Sequence, residues 1–139
     1  MESLHYLLMK SHSVMQRKIY SEAQKIGLTS GQPKILDYLY EYEGSDQKTI
    51  AGYCEIEPAT LGSILLRMEQ KGLIERRQEN GNRRSLFVYL TENGKEVCEK
   101  MHVIFSQKDK QAIEGLNAEE VDGLKRLLTK VCENLDGKD

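Results

Sequence analysis

Leu4, Leu8, Met15, Ile19, Ala23 and Ile26 recur at helical spacing with polar residues between them, and Gly27 supplies the left-handed conformation that commonly ends a helix. The spacing predicts a first helix over residues 3 to 26. Thr29-Ser30-Gly31-Gln32 has the form of a capping box, with the Thr29 hydroxyl accepting from the Gln32 amide and the Gln32 side chain reaching back. A second helix should follow with Leu36, Leu39 and Tyr40 inward. Ser45 is expected to cap a short third helix whose inner face is Ile50, Ala51 and Cys54, and Glu55-Ile56-Glu57 turns the chain into Pro58. Proline suits a first helical position, because its missing N–H would go unpaired there. The fourth helix is expected over 58 to 71, closing at Gly72.

Residues 73 to 78 and 85 to 90 alternate in the manner of strands, joined through Asn80-Gly81, a strong hairpin-turn signal. Thr91 and Asn93-Gly94 then open a long fifth helix with Val97, Met101, Ile104, Phe105 and Ala112 on one face. Asn117-Ala118-Glu119-Glu120 is a second capping box, followed by Val121, Leu124, Leu128, Val131 and Leu135 on a sixth helix. No internal repeat, low-complexity tract or flexible linker interrupts the chain.

The order of helix, tight turn, helix and basic hairpin predicts a mainly α fold with a small β-hairpin (α+β), a winged helix-turn-helix over residues 28–94. Residues 1–27 and 95–139 are expected to form a helical dimerisation region continuous with it. A first helix of this length is about 35 Å long at roughly 1.5 Å per residue, more than a small winged domain covers. Its apolar stripe, and those of the last two helices, must meet another surface. The economical solution is a homodimer joined through the ends of the chain, the alternative being packing within one chain only.

Composition narrows the function. At 139 residues and 39% hydrophobic content the chain can bury one core, and the 30% charged fraction belongs to a soluble protein. No apolar run approaches the roughly 18 residues that span a bilayer, and Met1-Glu2-Ser3-Leu4 lacks the basic-then-apolar form of a signal segment. A cytoplasmic protein without membrane contact is therefore expected. Three widely spaced cysteines, Cys54, Cys98 and Cys132, do not make a disulfide framework. The net charge of -2 conceals a basic stretch, since residues 67 to 84 hold six arginines and lysines against three glutamates.

On the fourth helix, Leu61, Ile64, Leu65 and Met68 share one face, and Thr60, Ser63, Arg67 and Gln70 share the other. Pro58, Ala59, Thr60 and Gly62 are small enough to let this helix approach base edges, where thymine methyl groups and hydroxyl contacts are read, and Arg67 reaches a guanine or a phosphate. The amides of residues 47 to 49, with Lys48, offer a phosphate site at a helix N-terminus. At the hairpin tip, Asn82, Arg83 and Arg84 are placed to enter a minor groove or grip the backbone, with Arg76 and Arg77 in support. The expected partner is double-stranded DNA, no cofactor or metal is required, and the competing reading is a winged-helix module that binds another protein. There is no P-loop, Gly-rich dinucleotide turn, nucleophile elbow or HExxH, so catalysis is not expected.

These segments resemble the MarR family of bacterial transcriptional regulators. The matching residues are Leu28-Thr29-x-x-Gln32, Gln47-Lys48-x-Ile50-Ala51, Pro58-x-Thr60 and Arg67-Met68-Glu69-x-Lys71-Gly72-Leu73-Ile74-x-Arg76. The wing adds Asn82-Arg83-Arg84-Ser85-x-x-Val88-x-Leu90-Thr91-x-x-Gly94. The resemblance implies a homodimer on a pseudo-palindromic operator, usually a repressor. It puts the helix matching 58 to 71 in the major groove and the arginine matching Arg84 in the minor groove. Asn82 stands where the family often has an aspartate that supports the wing arginine. The family also implies release of DNA by a small phenolic or other effector, or by oxidation of a cysteine early in the first helix, where this chain has none. Tyr6, Tyr20, Tyr38 and Tyr40 are candidates for an aromatic effector pocket. Cys98 and His102, four apart on one helix, have the spacing of half a zinc site, although a core cysteine is the plainer reading.

Overall fold

The computed structural model describes residues 1–79 and 81–137, and for Asn82, Arg83 and Arg84 the backbone only. Among the described residues, six helices and three strands follow in the order α1 (Leu4–Lys25), α2 (Gln32–Tyr42), β1 (Ser45–Asp46), α3 (Gln47–Cys54), α4 (Pro58–Gln70), β2 (Ile74–Glu79), β3 (Asn82–Leu90), α5 (Glu92–Ala112) and α6 (Ala118–Leu135). They fall into two units, Met1–Lys108 and Asp109–Asp139.

The core of the first unit gathers one face from each element. Ile35, Leu36 and Leu39 of α2, Ile50 of α3, Leu61, Leu65 and Met68 of α4, Val88 of β3 and Met101 of α5 are wholly buried, as burial of apolar area requires. The sheet has the order β1-β3-β2, antiparallel throughout. Ile74 pairs with Leu90 and Arg76 with Val88, so these four residues share one face, with Arg76 half-buried beside the buried Ile74, Val88 and Leu90, while Glu75 and Arg77 turn to the other face. The two-residue β1, absent from the expected elements, pairs Ser45 with Val88, and the Gly44 amide extends the ladder to the Val88 carbonyl at 2.8 Å.

Two helix starts differ from expectation. Ser45 does not cap α3; its backbone pairs with β3 and its hydroxyl donates to the Tyr42 carbonyl, which leaves Asp46 to accept the Thr49 amide at 2.7 Å. At α2 only half of the capping box forms. The Gln32 side chain does reach back to the Thr29 amide at 3.0 Å, but the Gln32 amide goes to the Thr29 carbonyl, and Gly31, left-handed at φ 85°, is the N-cap. Tyr40, expected inward, is 37% exposed and stacks on His102 of α5 with centroids 4.0 Å apart; Tyr38 takes the inward place. In the second unit the Asn117–Glu120 box is complete.

The terminal helices carry apolar side chains in the open. Along α1 only Ile19 and Ala23 are buried, while Leu4, Leu7 and Met9 near its start are exposed. No residue of α6 is buried, and Leu124, Leu127, Leu128 and Leu135 all lie exposed on it. No helix among the described residues is long and apolar enough to cross a membrane.

Candidate nucleic-acid interface

α4 separates its two faces cleanly. Leu61, Ile64, Leu65 and Met68 are buried, and Pro58, Ala59, Thr60, Ser63, Leu66, Arg67 and Gln70 are exposed. The four buried chains fix the rotation of the helix, so the exposed residues are held outward as a group. Glu55, left-handed at φ 54°, ends α3 and turns the chain, and Pro58 opens α4. Gly62 faces open space: a Cβ there would meet nothing within 4 Å. No internal contact demands a glycine at this helical position.

Lys48 is exposed in the first turn of α3. The neighbouring N-terminus is less available to a phosphate than the sequence suggested, because Asp46 takes the Thr49 amide and brings a negative charge there. Hydrogen bonding from the Thr49 side chain, and then from its amide, holds the Asp46 carboxyl below its ordinary value.

The expected basic stretch is largely engaged within the protein. Arg76, expected among the DNA contacts, pairs with Glu69 of α4 at 2.9 Å and donates to the Gln47 side chain of α3 at 3.2 Å. The hydrogen bond from Arg76 lowers the Glu69 pKa. Arg77 pairs with Glu75 of its own strand and lies over the Tyr89 ring, 4.2 Å from its centroid. Lys71 turns back to the Gly27 carbonyl at 2.8 Å. Arg67 remains exposed on the reading face. The side chains of Asn82, Arg83 and Arg84, and the whole of Asn80, lie outside the described residues; Gly81 at the turn is left-handed at φ 69°.

Beside the first turn of α4 is a cavity of about 740 Å³, among α1, the start of α2, the α3–α4 turn and α5. Tyr20, Ile64 and Phe105 give it apolar walls, and Arg17, Lys34, Glu55, Glu57 and Thr60 line it too. Of the tyrosines expected at an aromatic pocket, Tyr20 is in this lining; Tyr38 packs instead with Tyr42 and Tyr53, at 5.0 Å and 4.7 Å. The sequence pattern did not reveal the cavity, because its walls come from five separate segments.

Cys54 and Cys98 are core residues. Their thiols donate to the α2 carbonyls of Lys34 and Leu36, and burial pushes both up to about 11. Cys98 points inward while His102 is exposed against Tyr40, so the pair does not converge on one point.

A sequence model described as the MarR family matches residues 28–86. The chain is 29% identical over 111 residues to the HTH-type transcriptional regulator BilQ of Clostridium symbiosum, covering 80% of this chain and 77% of BilQ. It is 23% identical over 128 residues to the HTH-type transcriptional repressor Rv2887 of Mycobacterium tuberculosis, covering 92% of each. Among solved structures, the S. aureus MepR–DNA complex superposes with a TM-score of 0.81 at 28% identity, over 97% of this chain and 99% of MepR.

Proposed function

Since the chain belongs to the MarR family, we propose that two copies of it bind a pseudo-palindromic operator in double-stranded DNA and repress the genes beside it. The observation that carries this reading is the outward face of α4, where Pro58, Ala59, Thr60, Ser63 and Arg67 are held together by the buried face behind them. A rod of this diameter fits the major groove. Thr60 and Ser63 contact base edges, Arg67 a guanine or phosphate, and Gly62 leaves room for the duplex to come close.

Lys48 contacts the backbone beside the groove, in spite of the Asp46 charge next to it. Arg83 and Arg84 act at the wing tip, in the minor groove or on its flanking phosphates, and the neutral Asn82, standing where the family often has an aspartate, supports Arg84 less firmly than a carboxylate does. The exposed leucines of α1 and α6 give each protomer apolar stripes for a second copy to cover. Regions 1–27 and 95–139 therefore serve dimerisation. The protein works in the cytoplasm, where its DNA is, and carries no catalytic site.

A small effector entering the cavity under Thr60 meets the first turn of the reading helix directly. The volume of about 740 Å³ suits a drug-sized molecule. Its occupation shifts the protein away from the DNA-bound arrangement by binding that arrangement less well.

The test is a gel-shift against DNA fragments selected by the purified protein from random sequence, at stated salt. Thr60→Ala and Arg67→Ala are expected to lose sequence preference. Arg84→Ala is expected to weaken all sequences alike and to reduce the salt slope by about one. Unchanged affinity in all three variants overturns the assignment of this face.

A further inference from the structure

Arg76 stands on β2, yet its guanidinium joins three elements. Nη2 donates to Glu69 Oε1 of α4 at 2.9 Å, and Nη1 donates to Gln47 Oε1 of α3 at 3.2 Å. The Arg76 side chain is 18% exposed and Glu69 35%, so the pair is partly sheltered from solvent. The neighbouring Arg77 is bound within the sheet, to Glu75 and the Tyr89 ring. Between α4 and β2 the chain has just Lys71, Gly72 and Leu73, with Gly72 at φ 75°. The Glu69–Arg76 pair spans this short connection between the reading helix and the wing.

We infer that Arg76 is a positioning residue: with Glu69 and Gln47 it fixes the angle at which the wing leaves the reading helix. The inference rests on the reading of α4 and the wing as the DNA-binding surface. The geometry of the hairpin shows why the angle matters. β3 runs from Asn82 to Leu90, so the tip lies roughly 27 Å from the base, and a rotation of about 10° there displaces it by about 5 Å. That displacement exceeds the span of a hydrogen bond. Arg84 can then no longer bind its groove while α4 is seated in the adjacent one. The planar fork of arginine meets a carboxylate and an amide oxygen together, which a lysine cannot do from one nitrogen with the same geometry.

The experiment compares the wild type, Glu69→Gln, Arg76→Gln and the double variant on selected operator DNA, by fluorescence anisotropy over a salt series, with thermal midpoints measured alongside. Each single substitution is expected to weaken binding about tenfold, the double no further, and the salt slope to stay at its wild-type value. Glu69→Gln is the telling variant. It removes a negative charge from the vicinity of DNA, so electrostatics alone strengthens binding, whereas loss of positioning weakens it. Should Arg76→Gln fail to fold, the sign of the Glu69→Gln change still decides. Stronger binding by Glu69→Gln overturns the inference, as does a salt slope reduced by about one in Arg76→Gln, the signature of a phosphate contact. Unchanged affinity in both single variants overturns it as well. If the wild type selects no sequence at all, the DNA-binding reading itself falls, and that result is separate from any difference among variants.

Discussion

The carbonyl oxygen of Leu73 lies where a side chain on Gly94 would begin: a Cβ at residue 94 would stand 1.8 Å from it and 2.8 Å from the Leu73 carbonyl carbon. Around this contact Thr91 closes a clasp. Its amide donates to Leu73 at 3.0 Å, its hydroxyl to the Gly72 carbonyl, and the Gly94 amide donates to that hydroxyl at 2.9 Å. The base of the wing and the first turn of α5 are thereby fastened backbone to backbone.

Gly94→Ala is therefore expected to destabilise the fold by about 3 kcal/mol, although alanine in a helix is ordinarily better than glycine by about 1 kcal/mol. The obstacle is backbone, which cannot rotate aside as a side-chain end can. Urea unfolding of the variant measures the loss; a gain in stability would show that the two segments separate easily.

Gly62→Ala should behave in the opposite way. With open space around a Cβ, the substitution is expected to stabilise α4 by up to about 1 kcal/mol through helix propensity. On operator DNA the added methyl intrudes on the closest approach, and weaker binding is expected. Denaturant midpoint and anisotropy measured on one preparation test both halves together.

Asp46 gives a comparison of cap against charge. Asp46→Ala loses the hydrogen bond to the Thr49 amide and is expected to cost about 1 kcal/mol, while Asp46→Asn retains a good cap and changes stability little. Asn also removes a carboxylate from beside Lys48, so Asp46→Asn is expected to bind DNA more tightly than the wild type at low salt. Equal binding by both proteins would place this helix start away from the phosphates.

The helices and the two faces of α4 were legible in the sequence because their signals are local: apolar spacing, Pro58 at a first turn, Gly72 past the end. The choice between Ser45 and Asp46 as cap was not. Both are good cap residues, and a long-range contact, the pairing of Ser45 with Val88, decides it. Nor does a basic run distinguish cations that face DNA from those that hold the protein together. Arg76, Arg77 and Lys71 contribute to the same count as Arg67, and only the positions of Glu69, Glu75 and the Gly27 carbonyl separate them. Tyr40 shows the same limit on a helix, where periodicity puts a residue near the boundary of a face and the flanking His102 takes it outward.

The buried thiols make stability depend on alkaline pH in a definite direction. Cys54 and Cys98 ionise near 11 in the folded protein against an ordinary 9.0, so the unfolded chain loses those protons first. Their stabilising contribution is complete below pH 9 and is lost as pH rises from 9 to 11. Urea titrations across this interval should show a falling midpoint that flattens in the Cys54→Ala, Cys98→Ala double variant. At neutral pH neither thiol should react with a disulfide reagent until the protein unfolds.

The central claim is that two copies present two α4 helices to successive turns of one duplex. Hydroxyl-radical footprinting on a selected operator tests it most directly. The expected result is two equivalent protected patches with centres about 34 Å apart, one turn of B-form DNA, both lost in Arg67→Ala. A single asymmetric patch, or protection that persists in Arg67→Ala, would contradict it.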